Sequence, residues 1–330
     1  MDGWAVVDGR LLTRPIDITS DPAALDGDGV WVVVMTFEGE LTCVRMADDR
    51  PLRDWYDAAP PWAMPAGEAW TSSLDRAAYE AGVRTVRERV ARGDVYQVNL
   101  CRVLTAEQPH PPDLRSLGGA LARGNPAPYA ASVDVAAADL IVACASPELF
   151  LSRDGRRVAS GPIKGTGRTA VDLTDKDRAE NVMIVDLVRN DLARVADTGT
   201  VEVADLLRVE QHPGLVHLVS TVTAELRPGC GWPELLAAAA PPGSVSGAPK
   251  SSALQIIREL EPVPRGIYCG AVGWVDATAG LGRLAVGIRT FWWADGRLHL
   301  GTGAGITWAS DPAAEWDETV LKTSRLLEVR

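Results

Sequence analysis

The chain has 330 residues, 33 Lys+Arg against 44 Asp+Glu, a net charge of −11 and 46% apolar residues. That length and apolar share can bury a sizeable core, and the acidic balance argues against non-specific binding to nucleic acid or anionic membranes, which needs surplus positive charge. Five widely spaced cysteines with no CxxC pair read as buried thiols in a reducing compartment, not as a disulfide frame or a zinc site.

Val30–Phe37 is an apolar run of strand length, and no run reaches the roughly 20 residues of a membrane span. The start, Met1-Asp2-Gly3-Trp4, lacks a signal-peptide layout, so a cytoplasmic protein without a membrane anchor is expected. Glu38-Gly39-Glu40 reads as a turn before a strand over Leu41–Met46, and Asp57–Gly67, with three prolines, as a connector. Ser73 is expected to cap a helix whose apolar stripe is Tyr79, Val83, Val86 and Val90 and which stops at Gly93. A strand over Val95–Leu104 and a helix over Asp113–Arg123 follow. Ala130–Val135 and Leu140–Leu151 read as buried strands, the second turning at Asp154-Gly155 into Arg157–Ser160.

Thr174, with Asp177 three residues later, has the form of a capping box, opening a mostly buried helix that carries Val182, Met183, Val185, Leu187, Val188 and Leu192. A helix over Ser251–Leu260 ends before Pro262. Cys269–Val275, Arg283–Trp293 and Arg297–Gly301 suggest a meander, and Gly301–Thr307 a glycine-rich exit from it. Asp311 and Pro312 start the last helix. Strands and helices come in clumps, which predicts an α+β fold with large antiparallel sheets. There is no clear linker, so the chain is taken as one domain over 1–330, with 1–72 a short N-terminal part of the fold that 73–330 completes.

Only four of the 33 cations are lysines: Lys164, Lys176, Lys250 and Lys322. Lysine can lose its proton and attack an electrophile, which arginine cannot. Lys164, in Gly161-Pro162-Ile163-Lys164-Gly165-Thr166, has apolar and small neighbours that could lower its pKa into the nucleophilic range, although a surface lysine is the ordinary occupant of such a turn. Asp177 with Glu180, and Glu315 with Glu318, are same-face pairs near two helix starts. The helix dipole alone explains carboxylates there. A hard-cation site shared by the two helices, with Mg²⁺ as the ion, is the functional alternative. Lys322 lies four residues beyond Glu318, either as an i,i+4 partner or as a cation for a substrate carboxylate. Gly243–Lys250 misses the phosphate-loop spacing, and nucleotide binding is discarded for it.

Taken together, Gly161–Thr166, Asp177–Asp191, Val216–Thr221, Ser244–Lys250, Gly303–Gly305 and Glu315–Thr319 resemble the chorismate-utilising enzymes, which include anthranilate, aminodeoxychorismate, isochorismate and salicylate synthases. The resemblance runs from about Ser73 to Arg330 and implies the family's single-domain fold of two large antiparallel sheets flanked by helices. It implies that Glu180 and Glu318 hold Mg²⁺, with Asp177 and Glu315 nearby. Tyr268 and Arg289 would bind the enolpyruvyl carboxylate, helped by amides around Gly303, Ala304 and Gly305. Thr166, His217, Ser244 and Lys322 match other pocket positions, and Glu148 matches the acid that protonates the departing 4-hydroxyl.

Where the water-adding members place a lysine base, this chain has Gln97, which disfavours hydration. Lys164, where anthranilate synthases typically have alanine, is similar to the aminodeoxychorismate branch, in which the lysine is thought to attack ring C2. The resemblance therefore implies amination of chorismate at C4, with ammonia from a separate glutamine amidotransferase subunit. The alternatives are anthranilate-type amination at C2 and a non-catalytic chorismate-binding or docking protein. Departures from the family pattern are Gly167-Arg168-Thr169 after the lysine loop, Pro241-Pro242-Gly243, and the short region before Ser73.

Overall fold

A computed structural model describes Met1 to Arg330 except Arg168, Pro213 and Gly214, and except the side chains of Thr166, His212 and Leu215. Among the described residues there are eighteen strands and six α-helices: α1 (Arg76–Arg92), α2 (Leu114–Gly124), α3 (Asp175–Ala193), α4 (Trp232–Ala239), α5 (Lys250–Leu260) and α6 (Pro312–Leu327).

The strands form one continuous antiparallel ribbon. From Val30–Met35 it runs one way through Leu41–Pro51, Arg10–Thr19, Trp4–Val7, Tyr129–Val135, Leu140–Ser146, Thr290–Ala294 and Arg297–Ile306 to Gln97–Glu107. The other way it runs through Ala271–Asp276, Leu281–Val286, Leu149–Asp154 and Arg157–Gly161 to Leu215–Glu225, which also pairs with Ile163–Gly167 and Glu202–His212. The two expected sheets are thus halves of one, joined through the first hairpin. Buried side chains of both halves, such as Val32, Val44 and Val272 from one and Leu100, Val133 and Val142 from the other, share a single core cluster. The α+β antiparallel architecture is as expected, and the first 72 residues are woven into it.

Several boundaries differ from the sequence reading. Asp75, not Ser73, caps α1, its Oδ1 accepting from Ala78 N at 2.8 Å. Ser73 Oγ instead accepts from Val103 N. The run Leu140–Leu151 breaks after Ser146, at Pro147-Glu148, where proline interrupts the ladder. Arg283–Trp293 also breaks, because Ile288 N turns back to Val286 O and Arg289 takes φ +52°. Its two pieces pair with different neighbours, so no simple meander forms. Gly301–Ile306 is strand, not exit loop. Val182, expected inside, is 45% exposed.

Candidate functional site

Two helix starts and strand segments from both ends of the ribbon converge, bringing Lys164 on Ile163–Gly167 close to Gly305 on Arg297–Ile306. Thr174 and Asp177 close the expected capping box at α3: Asp177 Oδ2 accepts from Thr174 N at 2.8 Å and from its Oγ1 at 2.7 Å. The cap thus engages Oδ2 of Asp177, the carboxylate expected near the metal ligands. Glu180, three residues on, is left to face the site. The helix is fixed by Asn181, which donates to Leu218 O at 3.0 Å and accepts from Ser220 Oγ at 2.5 Å, and at its far end by Asp191, paired to Lys250 Nζ at 2.7 Å. Lys250 also donates to Ala239 O, a wholly structural placement that agrees with rejecting a phosphate loop.

Asp311 caps α6, donating no proton and accepting from Ala313 N and Ala314 N. Its rotation is set by Trp316, which lies edge-on to Tyr79 at 5.7 Å and under the Arg102 guanidinium at 4.3 Å. Arg102 Nε donates to Thr319 Oγ1 and Thr302 Oγ1 to Thr319 O. The adjoining face carries Glu315, Glu318, Lys322 and Arg325 at i, i+3 and i+4 spacing. Lys322 Nζ lies 2.7 Å from Glu318 Oε1 and donates to Gly303 O at 3.0 Å. Its ordinary reading as an i,i+4 partner therefore holds, and it holds Glu318 below the usual carboxylate range despite burial, with Lys176 and Lys164 adding to the effect.

Lys164 stands on Ile163–Gly167. Gly165 next to it, at φ +84°, has no space for a side chain: a Cβ there would meet Asp177 Cβ at 2.8 Å, so glycine lets the lysine strand lie on the first turn of α3. Lys164 Nζ donates to Ser244 O at 2.9 Å. Burial pulls its pKa below the ordinary lysine range, outweighing the pull of Glu180, Glu148 and Glu318, while Lys322 acts in the same direction as burial. Glu148 is 4% exposed, and burial raises its carboxyl to about 7 against hydrogen bonds from the Ser244 side chain and the Ile163 backbone and the charge of Lys164. An acid poised near 7 and a desolvated amine thus meet at Ser244. Beside them, a small cavity of about 20 Å³, room for one water, is lined in part by Glu148, Ser244 and Phe150.

Gly305 marks the other wall. A Cβ there would lie 2.1 Å from Gln97 Nε2 and 3.5 Å from Lys164 Nζ, so the glycine admits both side chains. Gln97 is buried and its Oε1 has no hydrogen-bond partner. Opposite Gly303 and Gly305 in register, Cys101 and Asn99 send their amides the other way, to Glu261 Oε1 and Ser246 O. Antiparallel alternation therefore turns the N–H groups of Gly303 and Gly305 outward, where the neighbouring strand, paired only from Arg297 to Leu300, no longer covers them. These amides can serve an anion, as expected, but from a strand edge.

Arg289 is half-buried, and burial together with Arg325 lowers its pKa. Among the described residues it has no ion pair, so it is a cation in want of an anion. Tyr268 is buried with its ring over Gly301, and burial keeps its hydroxyl neutral. Ala304 is buried in the same strand as the glycines. His217 is buried and faces Thr166 in strand register; the Thr166 side chain lies outside the described residues.

Two supporting residues were given no role in the sequence reading. Lys176 sits 3.7 Å from Glu180 Oε1 and 3.6 Å from Glu315 Oε1; its signal was membership of the scarce lysine set. Arg265, 1% exposed and paired with Glu261 at 2.7 Å, donates to Val245 O and Asn99 O, tying the Ser244 turn to the Gln97 strand. Among the described residues no three His, Cys, Asp or Glu side chains form a complete ligand set. A cation here would take two carboxylates and fill its sphere with water or substrate oxygen. The donors are all oxygen, which suits a hard cation. Glu315, 4% exposed, keeps an Oε2 with no hydrogen-bond partner.

Residues 57–328 match the protein family described as chorismate binding enzyme. The chain belongs to the chorismate binding enzyme family. Its sequence is 41% identical over 273 residues to anthranilate synthase component 1 of Streptomyces coelicolor, covering 79% of this chain and 52% of that protein. It is 39% identical over 345 residues to aminodeoxychorismate synthase component 1 of Salmonella typhimurium, covering 97% and 74%. The chain spans about half the length of the anthranilate synthases it matches. Anthranilate synthase component I from Streptococcus pneumoniae has the same fold at a TM-score of 0.77 and 24% identity, covering 99% of this chain and 90% of that one. So has the menaquinone-specific isochorismate synthase of Escherichia coli, at 0.80 and 17%, covering 99% and 88%. Among the described residues no helix is long and apolar enough to cross a membrane.

Proposed function

We propose that this member of the chorismate binding enzyme family aminates chorismate at C4, giving 4-amino-4-deoxychorismate, with Lys164 as a covalent nucleophile. The observation that carries the reading is the placement of Lys164: a desolvated amine 2.9 Å from the Ser244 carbonyl, facing carboxylates from α3 and α6, with Glu148 at about 7 beside it.

In this reading the Lys164 amine forms a bond to ring C2, both ring double bonds shift around the ring toward C4, and the C4–O bond breaks. Glu148 gives its proton to the leaving hydroxyl, which departs as water. Ammonia then bonds to C4, both double bonds shift back as the C2–N bond breaks, and the C4 ammonium returns a proton to Glu148, restoring both groups. Two displacements replace one hard substitution and direct nitrogen to C4. Arg289 and the Gly303 and Gly305 amides bind the enolpyruvyl carboxylate. Glu180 and Glu318 would hold Mg²⁺, with Glu315 nearby, and the ion would neutralise the ring carboxylate of chorismate. Gln97, which cannot act as a base, leaves water unactivated. Ammonia is supplied by a separate glutamine amidotransferase subunit, and the protein works in the cytoplasm.

A second reading, amination at C2, draws support from the 41% identity to an anthranilate synthase component 1. Incubation with chorismate, MgCl₂ and ammonium, with products resolved by chromatography, separates the two. The proposal expects 4-amino-4-deoxychorismate; anthranilate would establish the second reading, and salicylate or isochorismate would overturn both.

A further inference from the structure

The helix starts that carry the carboxylates already hold a cation of their own. Lys176 Nζ bridges Glu180 on α3 and Glu315 on α6, at 3.7 and 3.6 Å, and lies within the field of Glu318. Both separations exceed the 2.7–3.2 Å of a normal N–H···O bond, so the ammonium is held by charge more than by directed bonds. Its side chain is 47% exposed, whereas that of Glu315 is 5% exposed. Lys322 already pairs with Glu318 at 2.7 Å, so Lys176 alone stands between Glu180 and Glu315, and the buried Oε2 of Glu315 remains without a partner. The space thus favours more positive charge than a lysine supplies, while the lysine, on a flexible four-carbon stem at the rim, has an open way out.

We propose that Lys176 is a built-in counter-cation of this site: it holds the α3 and α6 carboxylates together in the metal-free protein and yields its place to a divalent ion. The inference rests on the reading that Glu180 and Glu318 hold such an ion. Its consequence is that metal binding is a cation exchange. Lys176 weakens metal affinity, and in return the acidic helix starts do not repel one another when no metal is bound.

Titration calorimetry with MgCl₂ alone on the wild type, Lys176→Met, Lys176→Arg and Glu180→Gln tests this, with thermal melting in the presence and absence of MgCl₂. Lys176→Met should bind Mg²⁺ about tenfold more tightly than the wild type, near the lower end of what one unit charge exerts at this distance close to a protein surface. Without metal it should melt lower than the wild type, and saturating MgCl₂ should remove the difference. Lys176→Arg, which keeps the charge, should stay close to the wild type in both measurements. Wild-type binding that Lys176→Met leaves unchanged or weakens would overturn the role of Lys176 and leave the metal reading standing. No heat and no melting shift in any of the four proteins would remove the metal reading itself, and this inference with it.

Discussion

Replacing Glu148 with glutamine should raise stability at alkaline pH while removing activity. The Glu148 carboxyl titrates at about 7 in the fold against 4.5 when exposed, chiefly because burial disfavours its charge. A group whose folded pKa is raised contributes stability that is complete below 4.5 and is lost as pH rises toward 7. Beyond that the loss is constant. At 1.36 kcal/mol per tenfold change, the carboxylate costs the fold up to about 3 kcal/mol at pH 8. Glutamine keeps the shape, can still accept from Ser244, and cannot ionise. Urea unfolding should therefore find Glu148→Gln more stable than the wild type by about 2–3 kcal/mol at pH 8, and close to it at pH 5. Its rate of C4 amination should fall by about 10²–10⁴-fold, the range of a lost general acid. The fall of wild-type kcat/KM with rising pH, as Glu148 loses its proton near 7, should be absent from the residual activity. Equal destabilisation of the variant at both pH values would refute the argument that burial holds Glu148 protonated.

Lys164→Ala should abolish C4 amination while leaving a cooperatively folded protein, as circular dichroism and product analysis would record; weak anthranilate formation is the expected residue of activity. Arg289→Gln should raise the chorismate KM by about tenfold or more with a smaller change in kcat, because it removes a charge-assisted contact worth about 1.5–3 kcal/mol; an unchanged KM in steady-state kinetics would place the anion elsewhere. Gly305→Ala, whose methyl would stand 2.1 Å from Gln97 Nε2, should displace Gln97 and weaken chorismate binding, measured by calorimetry, more than it lowers the melting temperature. Glu180→Gln should make turnover insensitive to EDTA by making it negligible; wild-type rates for that variant would exclude the residue from the metal site.

The parts of this site governed by local chemistry were legible in the sequence. The Thr174–Asp177 capping box and the Asp311-Pro312 start are short-range devices, and both helices begin where those residues put them. Lysine scarcity pointed to Lys164, whose desolvation the structure bears out. The glycine-rich segment was misread because its glycines answer to distant contacts: Gly303 lies against Cys101 Sγ and Gly305 against Gln97, both across a strand pair. Without that pairing, glycines before a helix resemble a turn. Lys176 escaped notice for the same reason. Its own helix supplies one carboxylate at i+4, but the second comes from α6, at the far end of the chain. Pro147, by contrast, was a readable break in Leu140–Leu151 that the apolar run on either side concealed.

The central claim, that the Lys164 amine bonds to the substrate ring, is tested most directly by quenching turnover with chorismate, MgCl₂ and ammonium at successive times and mapping peptides by mass spectrometry. The account predicts an adduct of dehydrated chorismate on the peptide bearing Lys164, formed early and absent from Lys164→Ala. An unmodified Lys164 at every time, together with full C4 amination by Lys164→Ala, would contradict it.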